Sequence, residues 1–117
     1  MKILIICDKK DEKYVQKAKD LKEELCSNKM DSKINVFIKY SKNQKYDILV
    51  IFSDDINFIQ GNLKLIENEE NIVVITDNLS SSYIIECIKI TPNLCYAGND
   101  INVIAKKVLS VCIRNEA

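Results

Sequence analysis

Three short runs in this chain, Lys2-Ile-Leu-Ile-Ile-Cys7, Asp47-Ile-Leu-Val-Ile-Phe52 and Asn71-Ile-Val-Val-Ile-Thr76, are apolar at every interior position and rich in β-branched residues. A strand with one face in water alternates apolar and polar side chains, whereas a continuous apolar strand is buried on both faces. The architecture that buries strands this way is a parallel sheet between two layers of helices. The intervening segments agree. From Asp11 to Ser27, Val15, Ala18, Leu21 and Leu25 recur at steps of three and four among Lys and Glu, an amphipathic helix for which Asn28 is a candidate C-terminal cap. After Phe52, Ser53-Asp54-Asp55 forms a cap and Ile56, Ile59, Leu63 and Ile66 a buried stripe, with Gly61 weakening the helix. After Thr76, the cluster Ser80-Ser81-Ser82 caps a helix running to about Lys89. Pro92 and Asn93 end the link, and a short strand from Asn93 to Ala97 leads through Gly98-Asn99 to Asp100. That residue caps a last helix carrying Ile101, Ile104, Val108 and Val111.

One segment differs. Lys33 to Tyr40 sets Ile34, Val36, Ile38 and Tyr40 on one face against Asn35, Phe37 and Lys39 on the other, the alternation of a half-exposed edge strand. Strands separated by helices predict an α/β fold: a three-layer, doubly wound, flavodoxin-like sandwich, with a five-stranded, mostly parallel sheet in the order 2-1-3-4-5. Residues 1–117 read as a single domain, near the usual domain size. The link Ser41 to Tyr46 is short for a parallel crossover, which usually takes a dozen residues or more. Either the helix between the second and third strands is shortened or missing, or the second strand runs antiparallel; we favour the shortened connection.

Lys and Arg together number 17, as do Asp and Glu, so the formal charge is zero. That balance offers no broad attraction to nucleic acid or to a membrane surface, and the expected partners are proteins. No apolar run approaches the ~18 residues of a spanning helix and no signal peptide is evident, so a cytoplasmic location is expected. Histidine is absent, removing the commonest general base and the usual zinc nitrogen ligand. Cys7, Cys26, Cys87, Cys95 and Cys112 lack a C-x-x-C spacing and read mostly as small core residues in a reducing compartment. The many Lys, Ile and Asn against the single Arg114 fit an AT-rich bacterial genome. No motif calls for a cofactor or a metal, and none is a complete catalytic motif.

In such sheets ligands bind beyond the carboxyl ends of the strands. This rule selects Cys7-Asp8-Lys9, Ser53-Asp54-Asp55, Thr76-Asp77-Asn78 and Ala97-Gly98-Asn99. Asp8, Asp54 and Asp55 would supply oxygen ligands for Mg²⁺, but we favour the plainer reading in which Asp54 and Asp55 cap a helix and Asp8 is solvated. The chain resembles a response-regulator receiver domain, whose signature is acidic residues after strand one, a phospho-accepting Asp ending strand three, Thr or Ser ending strand four, and Lys-Pro after strand five. Asp8 and Thr76 keep their places in that pattern. Phe52 falls at the phospho-accepting position and Ala97 where the family has its lysine. The resemblance therefore implies a degenerate site, Asp8, Phe52, Asp54, Thr76 and Ala97, in a pseudo-receiver that signals without catalysis. A two-residue shift of the third strand would instead place Asp54 as the acceptor of a Mg-dependent phospho-Asp site. Cys7 also resembles the phosphocysteine of enzyme IIB of the sugar phosphotransferase system. However, the loop after it, Asp8 to Lys13, has no Gly and three acidic groups. In a C-x5-R phosphatase pattern, Lys13 would stand where a bidentate Arg is needed.

The helix Ser82 to Ile90 has apolar residues on more than one side. With Ile84, Cys87 and Ile88 facing the sheet, Tyr83 and Ile85 are left over as a partner surface. The receiver resemblance implies a dimer or output face here, shared with the last helix, so Tyr83, Ile85, Lys89, Val103 and Lys107 are the candidate partner-binding residues, with a homodimer as one outcome. Val103, Lys106, Lys107 and Ser110 form the outer face of that last helix.

Overall fold

The structure is a computed structural model that describes residues 1–27, 34–65 and 71–116. In chain order the elements are β1 (Lys2–Cys7), α1 (Glu12–Ser27), β2 (Asn35–Phe37), β3 (Ile48–Phe52), α2 (Ile56–Gly61), a 3-10 turn (Leu63–Leu65), β4 (Ile72–Thr76), α3 (Ser81–Ile90), β5 (Leu94–Tyr96) and α4 (Ile101–Glu116). The sheet order is β2-β1-β3-β4-β5 and every pairing is parallel. The expected fold class, strand order and parallel second strand are all present. Two residues named above, the cap Asn28 and the stripe residue Ile66, lie outside the described residues.

All five residues of β3 and all five of β4 are buried, as their unbroken apolar runs require. Alternate residues feed two cores. Ile3, Ile5, Ile48, Val50, Phe52, Val73 and Ile75 pack under α1 and α4, whereas Leu4, Leu49, Ile51, Ile72 and Val74 pack under α2 and α3. The buried stripe of α1 is Tyr14, Ala18, Leu21 and Leu25. Tyr14 thus takes the place expected for Val15, which is only half-buried. Gly61 ends α2 after six residues, and the chain continues as the 3-10 turn.

The link from β2 to β3, residues 38–47, forms no helix. Register explains how so few residues suffice. β2 ends with Phe37 opposite Leu4, and β3 begins with Ile48 opposite Ile3. The chain therefore returns along the sheet by only about one residue, ~3.3 Å, while crossing β1 by roughly two strand spacings, ~9.6 Å. Tyr46 organises the crossing: its hydroxyl accepts from the Ser41 amide at 2.9 Å, and its ring meets Phe37 edge-on at 5.7 Å. This corrects the expectation for β2. Phe37, assigned to the outer face, packs in the second core, and Tyr40, assigned to the inner face, is 49% exposed.

Helix α3 also turns differently from the expected orientation. Tyr83 is buried, with its hydroxyl donating to the Ser53 carbonyl at 2.7 Å, and Cys87 lies one turn further on the same buried face. Ile85 and Ile88 are the exposed pair, at 54% and 56%. Tyr83 therefore belongs to the core rather than to a partner surface, and Ile88 does not face the sheet. A tyrosine can be buried here because its hydroxyl has an acceptor at the end of β3.

Candidate functional site

The carboxyl ends of β1, β3 and β4 meet at one edge of the sheet, and Cys7 pairs in register with Phe52, which pairs with Ile75. Phe52 is fully buried and faces α1, its ring 5.7 Å from that of Tyr14. The third strand thus ends in an aromatic core residue and presents no carboxylate at its last position. Asp55, the third residue of the following loop, is the N-cap of α2 and accepts from the Asn57 amide at 2.9 Å. Ser53 Oγ accepts from the Asp55 amide at 3.0 Å and fixes that turn.

With Asp55 serving as the cap, Asp54 turns inward to the centre of a network. Its Oδ2 accepts from Lys13 Nζ at 2.8 Å; its Oδ1 accepts from Tyr14 Oη at 2.6 Å, Thr76 Oγ1 at 2.7 Å and the Asp77 amide at 2.9 Å. Thr76 Oγ1 in turn accepts from the Asn78 amide at 3.0 Å, and Tyr14 Oη from the Asp77 amide at 2.9 Å. One carboxylate therefore ties α1, the β3–α2 loop and the β4–α3 loop together. Burial by itself would raise the Asp54 pKa, but the donors Lys13, Tyr14, Thr76 and the Asp77 amide outweigh it and hold the carboxyl well below the usual range. The Asp54 hydrogen bond raises Lys13, and burial followed by the bond to Asp54 raises Tyr14. Lys13 also lies 3.5 Å from Asp77 Oδ2.

Asp8 Oδ1 accepts from the Lys10 amide at 3.0 Å, closing its own turn. The three carboxylates considered for Mg²⁺ thus have separate duties: Asp8 in a turn, Asp54 in the network, Asp55 at a helix cap. Among the described residues no group of three His, Cys, Asp or Glu converges as a metal site. A cleft of about 290 Å³ is lined by Asp8, Asp11, Asp54 and Asp55 with Lys10 as its one cation, a net acidic wall that disfavours an anionic ligand. Ala97 is fully buried; its amide donates to the Thr76 carbonyl at 2.9 Å and its carbonyl accepts from Lys17 Nζ. The two lysines that bond to groups at the ends of β3 and β5, Lys13 and Lys17, are both supplied by α1 rather than by β5.

Cys7 is half-buried rather than buried as expected. Burial first, then the nearby Asp11 and Asp8, push its thiol pKa up, the opposite of what a nucleophilic thiolate needs. The sequence reading missed Tyr14 and Lys17 entirely and noted Lys13 only as a failed arginine. The spacing 14, 18, 21, 25 was itself a helical stripe that contained Tyr14, and Lys13 and Lys17 stand one turn apart beside it.

No family model matches this chain, and no curated protein matches it in sequence. Among solved structures it is similar to the receiver domain of the Francisella response regulator 1452, with a TM-score of 0.65 and 16% identity, covering 97% of this chain and 98% of that one. At that identity the likeness is one of fold: the chain has a receiver-like architecture over nearly its full length.

Proposed function

We propose that this chain is a non-catalytic, receiver-like signalling or assembly module whose phospho-accepting site is degenerate and which acts through protein contacts. The observation that carries this reading is the end of β3. Phe52, its last residue, is buried against α1, and it is the residue that we align with the acceptor position of the receiver pattern. Asp54, two residues further on, has Oδ1 held by Tyr14, Thr76 and the Asp77 amide and Oδ2 paired with Lys13, so an attack by this carboxylate would have to displace part of the network. The phosphocarrier alternative finds no support at Cys7, whose thiol is disfavoured as a thiolate.

The contact surface lies at the β5 edge, where α3 and α4 flank the last strand from opposite layers. Ile85 and Ile88 of α3, Tyr96 of β5 and Val103 of α4 are exposed, as is Lys89 of α3, and Lys107 of α4 is half-buried. Self-association through this face is one form the contact takes.

Incubation with acetyl phosphate and Mg²⁺, followed by intact-mass measurement, tests the degenerate site. No gain of ~80 Da is expected. A stoichiometric gain abolished by Asp54→Asn would establish a phospho-Asp receiver in its place, and one abolished by Cys7→Ser would establish the phosphocarrier.

A further inference from the structure

The short return from β2 to β3 has a consequence at the opposite edge of the sheet from β5. Because β2 stops opposite Leu4, Ile5, Ile6 and Cys7 have register partners in β3 but none in β2. Because residues 38–47 form no helix, no crossover helix covers the end of β1 on that side. A doubly wound sheet ordinarily fills this lane with such a helix. Here it is an open trough of about 940 Å³ between α1 and α2. Its apolar lining includes Ile6, Val15, Ile38, Tyr40 and Phe58. Lys9, Lys10 and Lys39 are exposed and belong to the same lining, Lys10 standing also on the wall of the acidic cleft while Lys9 and Lys39 line the trough and not that cleft. The one carboxylate among its lining residues, Asp8, is engaged by the Lys10 amide.

An apolar trough with a lysine rim has a definite complement: an apolar stripe flanked by carboxylates. A helix presents that pattern with apolar residues at steps of three and four and Glu or Asp beside them. We propose that the trough docks an acidic amphipathic helix of a partner protein, which occupies in trans the lane that the chain's own crossover helix would fill. The apolar contacts supply the affinity, and the three lysines select acidic over basic partners and orient the helix. This surface is separate from the β5 edge and does not depend on the role proposed for it.

Affinity selection from a displayed library of helical peptides about 16 residues long, long enough to hold helical structure, tests this directly. The bait is the whole chain, with the Lys9→Glu/Lys10→Glu/Lys39→Glu variant as counter-bait. These three side chains are exposed, so the variant retains the fold, which circular dichroism verifies. The selected sequences are expected to show apolar residues at three-and-four spacing with acidic flanks. They should perturb the amide resonances of Ile6, Ile38 and Phe58, bind more weakly as salt rises, and lose affinity about tenfold or more for the variant. Failure to enrich any sequence, enrichment of non-helical or basic ones, or binding that the variant retains would each overturn the proposal. Self-association of the chain that the triple substitution abolishes would assign the trough to a second copy and overturn it as well.

Discussion

Asp54 is exceptional among the carboxylates because every donor around it favours the charged form. Its folded-state pKa lies below its unfolded value of about 3.9, so its contribution to stability is fully present above that value and is lost as pH falls below it. Asn is close in shape to a protonated Asp but carries no charge. Asp54→Asn is therefore expected to cost about 1.5–3 kcal/mol near pH 6, the range for hydrogen bonds to charged groups, with the gap to the native protein closing toward pH 2. Urea midpoints of both proteins across that pH span provide the check, and parallel curves would show that the network does not titrate through Asp54. Cys7 gives a prediction of the opposite sign. With its thiol pKa raised, native alkylation near neutral pH should reach exposed Cys26 well before Cys7, and labelling of Cys7 should accelerate only as pH climbs beyond the ordinary thiol range. Peptide mapping after timed labelling reads this, and fast, preferential modification of Cys7 would revive the phosphocarrier reading. Little of this was legible from residues alone. Asp54 and Asp55 are adjacent and chemically alike, and only the α2 capping geometry decides which caps the helix and which turns inward.

At the scale of elements, α3 shows why a helix with apolar residues on several sides cannot be oriented from periodicity. Tyr83, Ile84, Ile85, Cys87 and Ile88 allow two buried stripes. The structure selects the one containing Tyr83 and Cys87, because the Ser53 carbonyl satisfies the tyrosine hydroxyl. The exposed pair is then Ile85 and Ile88. In a two-fold dimer each residue is counted twice, and burying one large aliphatic side chain is worth roughly 1.5–3 kcal/mol. Ile85→Glu should therefore fold as the native protein does while weakening self-association by about tenfold or more. Sedimentation of both proteins at rising concentration tests this. A native chain that stays monomeric at high micromolar concentration removes the homodimer, and a variant that unfolds would place Ile85 in the core. The long helices α1 and α4 were readable because each has a single apolar stripe. β2 was not, because three residues are too few for alternation to outweigh a neighbouring ring: Tyr46 draws Phe37 to the second core.

Over the whole molecule, two cores share one sheet, and adjacent residues of β3 report on different layers: Val50 on the α1–α4 side and Ile51 on the α2–α3 side. If the layers unfold together, Val50→Ala and Ile51→Ala will each shift one common transition, at a cost of about 2–4 kcal/mol apiece. Coincident denaturation curves from circular dichroism and tyrosine fluorescence would show this, whereas separate transitions would mean that the layers come apart independently. The sequence by itself determined the class and order of this sheet, because unbroken apolar strands have no stable place except between two helical layers and β2, carrying polar residues, belongs at an edge. It also located the strand ends where side chains of different elements converge. Tertiary structure alone decided what those ends became. Lys13 and Tyr14 meet Asp54 across 41 and 40 residues of chain, distances over which no local pattern carries information. The trough beside β1 arises in the same way, from a register that lets ten residues return without a helix. Periodicity encodes which face of an element is buried, whereas hydrogen-bond geometry between distant elements is fixed only when the packed layers bring them within reach.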